Sequence, residues 1–218
     1  MTSQRSRYVS IAAGIFVLLL VTGYTWHNYL EDRIFPRRWG VVEPGMLYRS
    51  GQLHPALVEK MLAQHHIKVV VNLQFDDDSP EQQAEMRAIR HLGIEQYRFP
   101  LNGNGTGDIK HYAAAIARIH QSLADGKPVL VHCAAGTQRT GGVIASYETL
   151  VEGKPVADAI RQMEQYDWNP AKDRILIQYL DGNMATLARD LVELRVLARV
   201  PETLPDFEAA TTRPVEAR

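Results

Sequence analysis

The sequence predicts a three-layer α/β domain with a short, mostly parallel sheet flanked by helices, preceded by one N-terminal transmembrane helix. Three observations carry that expectation. Short β-branched runs alternate with segments whose apolar residues recur at helical spacing, the pattern of strands and crossover helices. The runs Ile67 to Leu73 (IKVVVNL) and Pro128 to His132 (PVLVH) are almost wholly apolar, as strands covered on both faces are. The 18 residues from Val9 to Trp26 carry no charge, close to the ~20 apolar residues that cross a bilayer core.

Arg5 and Arg7 precede the apolar run, and Tyr24, Trp26 and Tyr29 close it where amphipathic rings favour an interface. The run ends in Tyr24-Thr25-Trp26-His27, which lacks the small residues of a signal-peptidase site. The expectation is a basic segment over 1–8 and an uncleaved transmembrane anchor over 9–27. A linker with Pro36 over 28–40, a folded domain over 41–200 and a disordered tail over 201–218 follow. The tail (PETLPDFEAATTRPVEAR) combines three prolines with little apolar content. The positive-inside tendency puts the N-terminus in the cytoplasm and the domain on the non-cytoplasmic side, although Arg33, Arg37 and Arg38 beyond the run oppose it.

With 218 residues, 45% of them hydrophobic, the chain suits one compact domain with appendages. A formal net charge of −1 gives no basic excess and argues against nucleic acid as a partner. A single cysteine excludes an intramolecular disulfide and a cysteine-rich zinc site. No histidine or carboxylate cluster has ligand spacing; His65-His66 reads as a cation pair at a helix C-terminus, so neither metal nor cofactor is expected.

Within the domain, Leu47-Tyr48-Arg49 is a short extended piece and Pro55 to His65 a helix with Leu57, Met61 and Leu62 on one face. Ser79-Pro80-Glu81-Gln82 opens the next helix with a cap, a first-turn proline and a capping box. Met86, Ile89 and Leu92 face its core side, and Gly93 ends it. Ile94 to Phe99 is a strand. Asp108 to Ala124 presents Ala115, Ile116, Ile119 and Leu123 on one face before Gly126. Helices are expected over Arg139 to Val151, Pro155 to Gln165, Lys172 to Leu180 and Met184 to Val200. Tyr166-Asp167-Trp168-Asn169-Pro170 is an aromatic turn.

The strand ending at His132 delivers the next residues to the carboxyl edge of the sheet, where ligands bind in such folds. Those residues read His132-Cys133-Ala134-Ala135-Gly136-Thr137-Gln138-Arg139-Thr140. A tight loop closing onto a helix N-terminus turns successive amides into one concavity, and the helix dipole adds positive potential. Ala134, Ala135, Gly136, Thr137 and Gln138 supply that phosphate-binding path, and Gly136 can turn where φ must be positive. The field that binds a phosphoryl dianion also favours the thiolate form of Cys133, the nucleophilic form. Arg139 can hold two phosphoryl oxygens with its planar fork. Thr140 can donate to the Cys133 sulfur, and His132 can orient the loop.

The segment resembles the H-C-x-x-G-x-x-R-[ST] loop of the cysteine-dependent protein tyrosine and dual-specificity phosphatases. Gly45 to Gln52, containing Leu47-Tyr48-Arg49-Ser50-Gly51-Gln52, is similar to the entry segment of the small atypical dual-specificity group, which includes bacterial tyrosine-phosphatase-like domains. So are Val69 to Leu73 with the polar loop after it, and Phe99-Pro100-Leu101. The resemblance covers roughly Gly40 to Ala185 and implies a phosphatase domain over 41–200, with Cys133 as nucleophile and Arg139 as phosphate clamp. It implies a phosphorylated protein or small phosphomonoester as substrate; the other partner expected is a lipid bilayer, through the N-terminal helix. Such enzymes protonate the leaving oxygen with an aspartate about thirty residues before the cysteine; here Asn102 or Gly103 holds that place. Asp108 is the only carboxylate in the Leu101–Asp108 loop, either as the acid or as a helix cap; Asp76-Asp77-Asp78 is a second source. Inositol-phosphate-type relatives carry lysines inside the loop, and this loop has none. A rhodanese-like sulfurtransferase and a membrane-anchored pseudophosphatase are the competing readings.

Overall fold

A computed structural model describes residues 15–26 and 30–212. Five strands form one mixed sheet in the order β1-β2-β5-β3-β4. They are β1 Gly40–Glu43, β2 Leu47–Ser50, β3 Val69–Asn72, β4 Glu95–Arg98 and β5 Val129–His132. β1 pairs antiparallel with β2, and every other pairing is parallel. The helices are α1 Glu31–Ile34, α2 Val58–Gln64, α3 Pro80–Leu92, α4 Ile109–Ala124, α5 Gln138–Leu150, α6 Val156–Gln165, α7 Arg174–Glu193 and α8 Phe207–Thr212.

Strand alternation divides the core into two layers. Leu47, Val69, Val71, Val129 and Val131 face the larger cluster, with Ile116, Ile144, Met163, Leu180 and Phe207 from α4 to α8. Tyr48, Val70 and Leu130 face the smaller one, with Leu62 of α2 and Ala88 of α3. Both faces of the central strands are therefore buried, which is why they read as unbroken apolar runs.

The N-terminal expectation is corrected. Among the described residues no helix is long and apolar enough to cross a membrane. The rest of the expected anchor, at 9–14 and 27, and the segment 1–8 lie outside the described residues. Without a span, the single-pass membrane localisation, the bilayer contact and the assigned side lose their basis.

Smaller departures have local causes. Ser79 caps α3 by accepting from Gln82 N–H (3.3 Å), but the Gln82 side chain donates to Phe75 O (3.0 Å) rather than back to Ser79, whose N–H goes to Asp77 (2.9 Å). Met86 is 40% exposed; α3 buries Gln82, Ala84, Glu85, Ala88 and Ile89 instead. The two helices expected over 172–200 are one, α7, because Leu176, Leu180, Met184, Leu187 and Leu191 keep a continuous buried face across Asp181-Gly182-Asn183. Part of the expected disordered tail is α8. Both carboxylate oxygens of Asp181 accept the amides of Phe207 and Glu208 (2.9 and 2.8 Å), and Phe207 is fully buried. Trp39 and Arg38, expected in a linker, pack on the domain: the Trp39 ring lies 4.5 Å from that of His65.

Candidate active site

The three central strands end together. Ser50, Asn72 and His132 are in register across β2, β5 and β3. The chain segments that leave them meet at the carboxyl edge: Leu73 N–H donates to His132 O (2.9 Å) and Gln52 N–H to Ala134 O (3.0 Å).

Between β5 and α5 the backbone makes a tight loop, with Gly136 at φ 77°. Its carbonyls are tied to the surrounding protein. Ala134 O accepts from Gln52 N–H, Ala135 O from Arg38 Nη1 (2.9 Å), and Gly136 O from Arg49 Nη2. Its amides are not. Among the described residues those of Ala134, Ala135, Thr137 and Gln138 meet no protein acceptor, while Gly136 N–H donates to Cys133 Sγ (3.2 Å). Cys133 is buried at the start of this amide-lined turn, and the N-terminus of α5 closes it. The arrangement can bind a tetrahedral dianion and hold a thiolate beside it.

Arg139, in the first turn of α5, is half-buried, with Nη1 3.5 Å from Leu73 O and Nε buried without a partner. Thr140 Oγ1 is buried without a hydrogen-bond partner, so the expected bond to Cys133 is not formed. His132 Nε2 lies 3.1 Å from Glu85 Oε2 in the interior behind the loop. Glu85 also accepts from Gln52 (3.0 Å), Asn72 (3.2 Å) and Gln96 (2.7 Å). Burial alone would raise this carboxyl; the His132 charge and these hydrogen bonds outweigh it and hold Glu85 below the ordinary carboxylate range.

Asp108 caps α4, its Oδ1 accepting Lys110 N–H (2.9 Å), and is exposed at the end of the Leu101–Asp108 loop. Beside it, Tyr179 donates to Gly107 O (2.9 Å), and burial with the nearby Asp108 charge pushes its hydroxyl up to about 12. Of the second acidic group, Asp76 pairs with Arg98 (3.1 Å) and Asp77 holds Ser79 N–H. A cavity of about 280 Å³ opens beside the loop, lined by Ala134, Gln52, His54, Gln74, Ser79 and Arg37.

Sequence reasoning assigned no role to Arg49, Arg38 or Glu85. Arg49 was visible only as a letter of the Leu47–Gln52 segment. Its full burial in β2 shows only in the folded structure.

A family model described as "Polymorphic toxin system, DSP-PTPase phosphatase" matches residues 47–153, from β2 through the Cys133 loop and α5. Residues 47–153 thus carry the domain of the cysteine-dependent protein tyrosine and dual-specificity phosphatases. Dual specificity protein phosphatase 26 of Bos taurus is 30% identical over 79 residues, 36% of each chain. The vaccinia virus dual specificity protein phosphatase OPG106 is 26% identical over 114 residues, 47% of this chain and 67% of the viral one. The match thus spans about a third of the bovine relative and two thirds of the viral one. Among solved structures, TpbA of P. aeruginosa superposes with a TM-score of 0.57 at 22% identity, over 73% of this chain and 91% of that one. The catalytic core of the PP-IP phosphatase SIW14 of S. cerevisiae gives 0.57 at 16% identity, over 74% and 95%. These two likenesses establish the phosphatase-type fold.

Proposed function

We propose that the chain hydrolyses phosphate monoesters through a cysteinyl-phosphate on Cys133, with a phosphorylated protein or a small phosphomonoester as substrate. One observation carries the reading: the Cys133 sulfur accepts a loop amide at 3.2 Å within a turn whose Ala134, Ala135 and Gly136 carbonyls are tied to other partners. In the first step the thiolate attacks phosphorus, the S–P bond forms and the P–O ester bond breaks. The leaving oxygen takes a proton and departs as an alcohol or phenol. In the second step water attacks phosphorus and gives a proton to the carboxylate that donated in the first step, the S–P bond breaks, and inorganic phosphate and the thiolate are released.

The amides of Ala134, Ala135, Gly136, Thr137 and Gln138 are the proposed phosphate ligands, and Arg139 the side chain that follows the equatorial oxygens into the transition state. Asp108 is the proposed proton donor. Its cap bond engages Oδ1, it is exposed, and it ends a loop with glycines at 103, 105 and 107. His132 supports the loop through Glu85, and Thr140 lies buried in the first turn of α5.

A structure of TpbA has been solved in complex with pTyr, and a phosphotyrosyl peptide is the first substrate to try. The loop lacks the lysines that a polyanionic substrate would favour. The family match over residues 47–153 and the presence of both Cys133 and Arg139 do not favour a sulfurtransferase or a non-catalytic module. The test is hydrolysis of p-nitrophenyl phosphate and a phosphotyrosyl peptide by wild type and Cys133→Ser. Wild type is expected to turn over and Cys133→Ser to be inactive. Wild-type activity on thiosulfate and cyanide, with none on phosphate esters, would overturn the reading.

A further inference from the structure

Arg49 is the largest fully buried side chain of the protein's described residues. A buried guanidinium is costly unless its charge and donors are met. Here Nη1 donates to Gln162 (2.9 Å), Nη2 donates to Gly136 O, the cation lies 4.0 Å from the Tyr166 ring centroid, and Nε is unpartnered. Burial lowers its pKa to about 10, partly offset by Tyr166, Cys133 and Glu148, so it stays cationic at neutral pH. An apolar residue in β2 would pack without that cost. Arg38 reaches the adjacent carbonyl from the segment before β1, with Nη1 on Ala135 O (2.9 Å) and Nε on Asp167 (2.7 Å). Both Arg38 (φ 45°) and Asp167 (φ 65°) adopt left-handed backbone that ordinary side chains rarely take.

A trans peptide is planar, and its C=O and the following N–H point in opposite directions. Holding a carbonyl on one side of the loop therefore aims the next amide to the other side. Ala135 O is held by Arg38, and the next amide, Gly136 N–H, meets Cys133 Sγ. By the same geometry, the Arg49 bond to Gly136 O sets the Thr137 amide, and the Gln52 bond to Ala134 O sets the Ala135 amide.

We propose that Arg49 and Arg38 are positioning residues, two guanidiniums that grip consecutive carbonyls on the back of the loop and keep its amides aimed at the phosphoryl group. The inference rests on the reading of this loop as a phosphate cradle. It goes beyond that reading because the grip recruits Arg38, Gln162, Tyr166 and Asp167, all outside the family-matched residues 47–153. The aromatic turn after α6 thereby gains a role: Tyr166 lies against one guanidinium, and Asp167 binds the other.

The test uses the full chain with Arg38→Met, Arg38→Lys, Asp167→Asn and Arg49→Met. It measures kcat, KM, melting temperature and inhibition by orthophosphate. Arg38→Met is expected to weaken orthophosphate inhibition and lower kcat/KM by about tenfold, the size of one charge-assisted hydrogen bond. Arg38→Lys, which keeps a donor and a charge, should recover most of both. Asp167→Asn should fall between them. Arg49→Met should show the larger loss if it folds; Arg38 and Asp167, nearer the surface, keep the proposal testable if it does not. Unchanged KM and orthophosphate inhibition in Arg38→Met, with kcat reduced only by the folded fraction, would mean a merely structural contact and overturn the proposal. Equal losses in Arg38→Met and Arg38→Lys would do the same. Orthophosphate binding is also followed by calorimetry, so a wild-type chain that binds phosphate without turnover counts against the hydrolytic reading and leaves the grip to be judged by affinity.

Discussion

Replacing Gly136 by alanine tests the loop where its geometry is tightest. A Cβ at this position would lie 2.5 Å from Gly51 N, 2.7 Å from Ser50 C and 2.8 Å from Ser50 O, all backbone atoms. Comfortable heavy-atom contacts begin near ~3.5 Å, so the loop and the end of β2 must part by about 1 Å. Alanine at φ 77° adds roughly 1–2 kcal/mol of backbone strain, and overpacking adds about 1–3 kcal/mol. The expected total of about 2–5 kcal/mol lowers the melting temperature by roughly 5–20 °C for a chain of this size. Activity should fall further than stability, because Gly136 carries both the amide on Cys133 and the carbonyl on Arg49. A displacement of ~1 Å at a reacting centre costs on the order of 10²-fold. The assay is p-nitrophenyl phosphate hydrolysis well below the melting temperature of each variant, alongside calorimetry. Gly182→Ala is the control. Nothing lies within 4 Å of its added Cβ, and in the middle of α7 it should stabilise by about 0.5–1 kcal/mol with unchanged kcat/KM. If Gly136→Ala matches Gly182→Ala in rate and melting temperature, the loop is not held against β2 as described.

Asp108→Asn is expected to lower kcat by about 10²-fold or more on phenyl phosphate and far less on p-nitrophenyl phosphate, whose leaving group needs little protonation; equal effects on both esters would leave Asp108 as a cap alone. Glu85 is held below the ordinary carboxylate range when folded, so its contribution to stability is present above about pH 4.3, the unfolded value, and is lost as pH falls through the lower folded one. Urea midpoints of Glu85→Gln should accordingly depend less on pH across that acid window than wild type, and an unchanged slope would contradict the assignment. Phe207→Ala should cost about 3–5 kcal/mol by emptying a fully buried site; a loss under ~1 kcal/mol would show that α8 is not docked.

The parts of the site that lie together in sequence were legible. His132 to Thr140 is one uninterrupted stretch between an apolar strand and a helix, and its loop conformation follows from that context. The parts assembled from distant residues were not. Arg49 meets Gly136 across 87 positions and Gln162 across 113, and Arg38 meets Ala135 across 97. Nothing local in Leu47–Ser50 distinguishes an arginine aimed inward from one at the surface. The same limit explains the helix errors. Met86 fits the inward spacing of α3, yet Gln82 and Glu85 take the buried face because they join the polar network behind the loop. Asp181 lies in the gap expected between two helices, yet its carboxylate holds the start of α8, twenty-six positions away. The N-terminal anchor rested on hydropathy and flanking residues, and no span follows from them among the described residues.

The most direct measurement is rapid acid quenching of wild-type enzyme during turnover of p-nitrophenyl phosphate, followed by mass spectrometry of the peptide containing Cys133. The account predicts one phosphoryl group on that peptide, discharged by water, and none in Cys133→Ser. Steady turnover with no phosphoryl adduct, or a Cys133→Ser variant that still hydrolyses the ester, would contradict it.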